Sequence, residues 1–210
     1  MYLRGKIEEL LDKNIDKLTG SISYRAFVGR LKKVFKDDTL CFKYQKYDGI
    51  NVDDYSISGI FDMNKNKRYV VMHFSDLTDR IILNRFDYGH FKFLMSQTIQ
   101  HETIHRDQWQ YRPAVEGPVS VDFREKRSTN KQEIEYLSDI DEIDAYAHDI
   151  VLEMKYYYPG QDLFKLLKQL NKLKKIDTFK YYKRTFKNSE YWSLIKKLLL
   201  TKTYKWITYA

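Results

Sequence analysis

The sequence predicts an α+β fold, and three observations carry that prediction. Apolar residues recur near the helical period at both ends of the chain, two β-rich runs lie between residues 55 and 74, and a long helical stretch follows them. With 210 residues, 43% hydrophobic and 16% aromatic, the chain holds enough apolar material for one large domain, or for a domain with an appendage. Eight Gly and three Pro, with no internal repeat, argue against a disordered or repetitive chain.

Each element has its own signal. Leu3, Ile7, Leu10, Leu11, Ile15 and Leu18 follow a 3.6-residue spacing and predict a helix over 3–17. A second helix is expected over 22–36. "YSISGIFDM" (55–63) and "KRYVVMHF" (67–74) flank the polar "NKNK", which predicts an antiparallel hairpin. "DRIILNRF" (79–86) supplies a third strand. Asp87 is placed to cap a helix from about 88 to 110. The stretch 111–129 holds two of the three prolines, and a connection this long marks either a functional loop or a mobile one. Asn130 and Glu133 resemble a capping box opening a helix to Tyr158, where Pro159-Gly160 stops it. Helices over 161–175, 178–187 and 189–201 complete the chain. The "YPG" at 158–160 is the candidate boundary, between 1–160 and a helical extension, 161–210, packed on the core.

Charge is unevenly spread. The net charge is +8, yet residues 161–210 alone carry 13 Lys/Arg against 3 Asp/Glu. Such asymmetry points to a nucleic-acid or acidic-partner surface, or to a lysine-rich solvated helical face. "FKYYKRTF" (179–186) alternates aromatics with bases, a pattern suited to base stacking and phosphate contact. No stretch of about 18 apolar residues exists, so no membrane span is expected. The charged start "MYLRGKIEELLDKN" does not read as a secretory signal. The single cysteine, Cys41, lies between Leu40 and Phe42 and is expected to be buried and inert. These features predict a cytoplasmic or intracellular viral location.

Chemistry enters with "HETIHRDQW" (101–109). On a helix, residues four apart stand one above the other, so His101 and His105 can aim both Nε2 atoms at one metal ion. Zinc accepts neutral imidazole, carboxylate and thiolate donors in tetrahedral geometry. Glu102 lies beside His101 and about a turn from His105, where its carboxylate can act as general base toward water. Trp109 lies eight residues past His101 on nearly the same face, and is expected in the core or as a wall of the site. His73, in a predicted strand, and His90, opening the helix, read as structural.

A third ligand is sought in "SDIDEIDAYAHD" (138–149). On a helical wheel, Ile140, Ile143, Ala147, Ile150 and Met154 form the core stripe. Glu142 lies on one flank of that stripe, and Asp144 with His148 on the other. Asp139 and Asp141 are further candidates. Periodicity alone does not choose among them.

"HETIH" followed, 37 residues after His105, by "EIDAYA" resembles the compact gluzincins, a group of H-E-x-x-H zinc metallopeptidases of the zincin superfamily. The resemblance covers about residues 55–155. It implies a zincin-like core: a small antiparallel sheet, a motif helix, a loop, then a third-ligand helix, flanked here by N- and C-terminal helices. It implies Zn2+ as cofactor, His101, His105 and Glu142 as its ligands, and Glu102 as catalytic base. Ala145 and Ala147 match the small positions after the ligand. Asp144 or Asp149 is placed to hold a ligand histidine by its second nitrogen. The tetrahedral intermediate of peptide hydrolysis needs an oxyanion partner. Tyr146 is the first candidate, with Tyr111, Arg112 and His148 behind it. The implied function is hydrolysis of a peptide or protein substrate. Two alternatives stand beside it. One is a nucleic-acid-associated protease using the basic 161–210 segment, although proteases of that kind use a third histidine. The other is a non-catalytic structural or adaptor protein, and the lysine- and aromatic-rich composition suits a phage product.

Overall fold

A computed structural model describes residues 2–52, 54–111, 130–187 and 189–209. The chain is α+β and divides into two compact units, 1–113 and 114–210. Of the connection read over 111–129 as functional or mobile, residues 112–129, Arg112 among them, lie outside the described residues.

The first unit opens with helices α1 (Tyr2–Asp12) and α2 (Ile15–Leu18), then strand β1 (Gly20–Ser23) and helix α3 (Tyr24–Phe35). The helix expected over 3–17 thus breaks at residues 13–14, and the one expected from 22 begins two residues later, because Gly20–Ser23 pairs as a strand. Ser23 caps α3, its Oγ accepting from Ala26 N at 3.3 Å. Tyr24, Phe27, Val28, Leu31 and Val34 then bury one helical face.

Strands β2 (Leu40–Tyr47), β3 (Tyr55–Asp62) and β4 (Lys67–Ser75) follow, then β5 (Arg80–Leu83) and the long helix α4 (Tyr88–Tyr111). The hairpin is present as predicted, β3 antiparallel to β4 with Gly59 opposite Val70, and Asn66 takes the left-handed turn position at φ 49°. The sheet is not the purely antiparallel one expected, because β2 joins β4 in parallel, Leu40 opposite Arg68, giving the order β2-β4-β3. The third predicted strand, β5, pairs instead with β1 in a separate two-stranded ribbon. Cys41 sits on β2 and is only half-buried.

The unit's core joins Leu11, Phe27, Leu31, Phe42, Met72, Phe74, Leu83, Phe91 and Met95, all almost fully enclosed. Asp87 does occupy the helix-entry position, its carbonyl accepting from Phe91 N, but its carboxylate is held by the Asn84 amide. Asn84 shapes the approach, its Oδ1 accepting from both Phe86 N and Asp87 N at 2.9 Å.

The second unit is helical: α5 (Asn130–Ser138), α6 (Ile140–Tyr157), α7 (Leu163–Lys168), a 3-10 turn (Leu170–Lys172), α8 (Asp177–Thr185) and α9 (Trp192–Thr208). The single helix expected from 130 to 158 is two, because Asp139 leaves helical geometry at ψ 134° and caps α6, its carboxylate accepting from Asp141 N. Glu133, expected in a capping box, accepts the Tyr181 hydroxyl at 2.6 Å. Ile140, expected in the core stripe, is 52% exposed at the first helical position, whereas Ile143, Ala147, Ile150 and Met154 are enclosed as predicted.

The boundary suggested at 158–160 falls inside this unit. Gly160 there adopts φ 74°, a left-handed stop, yet the core runs through it, uniting α5 and α6 with Leu166, Leu170, Phe179, Tyr182, Phe186, Ile195 and Leu199. Three aromatics of "FKYYKRTF" are therefore interior: Phe179, Tyr182 and Phe186 are at most 2% exposed. These three aromatics are committed to packing, while Lys180, Lys183 and Arg184 are exposed and Tyr181 and Thr185 are half-buried. Among the described residues no helix is long and apolar enough to cross a membrane.

Candidate metal centre

The motif lies in the second half of α4. His101, Glu102 and Thr103 are buried, and His105 is half-buried. The two imidazoles converge: Nε2 of His101 is 3.1 Å from Nε2 of His105, with ring centroids 4.8 Å apart and planes at 73°. Two nitrogen ligands on one tetrahedral zinc, each at its usual distance, stand about 3.3 Å apart. The histidine pair fits that requirement with almost no rearrangement. His105 is further held by Gln108, whose Oε1 faces its Nδ1 at 3.1 Å.

Glu102 owes its place to a strand. A Cβ added at Gly59 of β3 would lie 2.2 Å from Glu102 Oε1 and 2.5 Å from its Cγ. The glutamate side chain fills the space that any other residue at 59 would occupy. Glycine is required there by close approach, since the φ of Gly59 is not in the left-handed region.

Arg68 of β4 ties the motif to the sheet. It is 3% exposed, and its guanidinium donates to Thr103 Oγ1 at 2.7 Å, Asp37 Oδ2 at 2.7 Å and Thr39 Oγ1 at 2.8 Å. Thr103 passes the contact on, its hydroxyl donating to the Ile99 carbonyl at 2.7 Å. Burial draws the Arg68 pKa down, with repulsion from Arg106 adding to it, and Asp37 opposes both. Burial also disfavours the Asp37 carboxylate, but hydrogen bonds from Thr39 and the Arg68 charge outweigh this, so Asp37 titrates below its ordinary range.

The acidic candidates beyond Glu102, with Tyr146 and His148, are in the second unit, on α6 or, for Asp139, at its N-cap. Glu142 is half-buried in the first turn, where the helix dipole favours a carboxylate. Asp144 pairs with Lys202 at 3.2 Å, and its carbonyl accepts from Trp206 Nε1 at 3.0 Å. His148 is buried with its ring edge-on to Trp206 at 4.8 Å. Asp149 is buried. Asp139 is spent on the helix cap, and Asp141 follows it in the first turn. Tyr146 packs edge-on against Tyr182 at 5.6 Å and Tyr181 at 6.3 Å.

The remaining candidates fall elsewhere. Trp109 is not core: it is 43% exposed, its ring edge on Phe61 at 5.9 Å. Tyr111 is 85% exposed. His73 lies on β4, its Nε2 bonded to Ser58 Oγ at 2.8 Å, and burial lowers its pKa. His90 stacks near Phe93. Gly59, Arg68 and Gln108 were not singled out from sequence. Only Gln108, three residues beyond His105, carried a local signal, the i,i+3 reach along a helix.

Comparison with protein-family models, with curated proteins and with solved structures gives no match to this chain. The gluzincin resemblance therefore rests on the residues themselves.

Proposed function

We propose that this chain is a zinc-dependent metallopeptidase in which His101, His105 and Glu142 hold the ion and Glu102 is the general base. The observation that carries the reading is the convergence of His101 and His105 Nε2 at 3.1 Å on one helix face, next to a buried glutamate. Two imidazoles and a carboxylate make a donor set able to hold a metal ion, and one that zinc favours. A zinc ion held by these residues would supply Lewis-acid activation of water and of the substrate carbonyl. Glu102 takes the proton of the attacking water and returns it to the leaving amine. Gly59 and the enclosing sheet keep that carboxylate in one place. Arg68 holds the helix turn on which it sits. Tyr146, one turn beyond Glu142 and braced by Tyr181 and Tyr182, is the proposed donor to the developing oxyanion.

Elemental analysis of protein purified without chelator or nickel resin tests the ligand set. One zinc per chain is expected, lost in His105→Ala and in Glu142→Ala. Zinc kept in Glu142→Ala moves the third ligand to Asp144 or His148. Absence of metal from wild type overturns the reading. Glu102→Gln is expected to keep its zinc and to lower peptide hydrolysis by roughly 10²–10⁴-fold. Undiminished turnover in that variant removes Glu102 from the chemistry.

A further inference from the structure

Gln108 does more than fill space beside His105. Its Oε1 faces His105 Nδ1 at 3.1 Å, from three residues further along the same helix. A carbonyl oxygen can only accept, so neutral His105 meets it favourably with the proton on Nδ1 and not with a lone pair there. Its Nε2 is then left with the bare lone pair, and this is the nitrogen turned toward His101 Nε2. With Oε1 toward the ring, as the structure has it, the hydrogen bond favours the tautomer that can ligate. Free histidine in water prefers the opposite one, with the proton on Nε2, so this selection works against an intrinsic preference.

We propose that Gln108 is a positioning residue that presets His105 as its Nδ1–H tautomer, turning Nε2 into a ready metal ligand. The proposal rests on the metallopeptidase reading for its use, but the tautomer itself is measurable without any metal. Gln108 is half-buried near the end of α4, where a change of side chain leaves the core of the first unit intact. It is also neutral. A carboxylate at this position keeps the acceptor and adds charge, so Gln108→Glu preserves the role while Gln108→Ala removes it.

The test uses the full chain with 15N-labelled histidine, in chelator at a pH where imidazoles are neutral. Long-range proton–nitrogen correlation reads the tautomer, with His105→Ala assigning the signals. The expected result is a proton on Nδ1 of His105 in wild type and in Gln108→Glu, and a shift toward Nε2–H in Gln108→Ala. Zinc affinity, read by competition with a chromophoric chelator, is expected to fall roughly 10–100-fold in Gln108→Ala and to recover in Gln108→Glu. A wild-type His105 protonated on Nε2 overturns the proposal. So does an affinity loss in Gln108→Ala with an unchanged tautomer, which would make Gln108 a packing residue. If wild type binds no zinc, the metallopeptidase reading fails, and the spectrum alone decides the tautomer.

Discussion

The sharpest consequence of the geometry is at Gly59. An added methyl there would lie 2.2, 2.5 and 2.7 Å from Oε1, Cγ and Cδ of Glu102. Non-bonded heavy atoms settle at about 3.5–4.0 Å, so the glutamate must retreat by roughly 1.3 Å at Oε1 alone. Glu102 is 2% exposed, which leaves it no room to retreat sideways into solvent. Either the side chain changes rotamer or α4 shifts against β3. Overpacking of this kind costs about 1–3 kcal/mol, which in a chain of this size lowers the melting temperature by roughly 2–12 °C. A misplacement of about 1 Å in a reacting group costs on the order of 10²-fold in rate. Gly59→Ala is therefore expected to lose peptidase activity by about that factor while keeping its zinc, since the clash involves Glu102 and not the histidines. The double variant Gly59→Ala/Glu102→Ala separates clash from general damage. With the glutamate truncated, the methyl enters vacated space, and the melting temperature is expected to rise above that of Gly59→Ala. Calorimetry of the four proteins gives the coupling directly. A Gly59→Ala protein with wild-type melting and full activity refutes the packing argument, and additive losses in the double variant refute the pairing.

Two further outcomes test the surroundings. Arg68→Ala takes the donor from the buried Thr103 hydroxyl and the ion-pair partner from the exposed Asp37, and is expected to cost about 1–3 kcal/mol by urea denaturation and to weaken zinc binding; full stability would show that the strand–helix link is idle. His73 has a pKa lowered by burial, so the folded state resists its protonation. The sign follows: stability present above the ordinary value of 6.5 is lost as pH falls toward the depressed folded value. His73→Gln is expected to flatten that part of the stability–pH curve, and an unchanged slope would assign the loss to another group.

The elements legible in the sequence were those with a local repeat. α3, α4 and the β3–β4 hairpin each carry an apolar period or a polar turn within the segment itself. β2 carried none: only Leu40 and Phe42 alternate inward, Cys41 between them is half-buried and residues 43–47 are exposed, so no period marks it. Its parallel partner is also remote in sequence, reached by pairing and not by a turn. The break at Ser138–Asp139 was hidden because Asp139 sits in an acidic run where any residue looks like a solvated face. Ile140 misled for the same reason, an apolar residue on the right side of the wheel but too close to the helix start to be covered. At the site, the histidine pair was legible through its i,i+4 spacing. Gly59 and Arg68 were not, because each acts across a sheet–helix contact between residues 43 and 35 positions apart.

Burial sets the candidate site apart from the apolar core around it. In α4 a run of polar residues is enclosed: Ser96, Gln100, His101, Glu102 and Thr103 are all at most 7% exposed. Apolar side chains in these places would stabilise the core more, since each enclosed polar group gives up hydration. Some are satisfied within the helix, Gln100 by the Ser96 carbonyl and Thr103 by that of Ile99. Glu153 in the second unit shows what a structural buried carboxylate looks like. It caps α8, accepting the Thr178 hydroxyl at 2.6 Å and the Thr178 amide at 3.2 Å, and so contributes to the fold in which it is buried. Glu102 has a different setting. It is enclosed against a strand that must be glycine to admit it, one residue from a histidine whose Nε2 converges on another. A strand glycine that leaves room for an enclosed carboxylate is the packing expected if Glu102 has the proposed role in the chemistry. Under the proposed function, Glu102 is the acid, among the described residues, whose substitution should separate activity from stability.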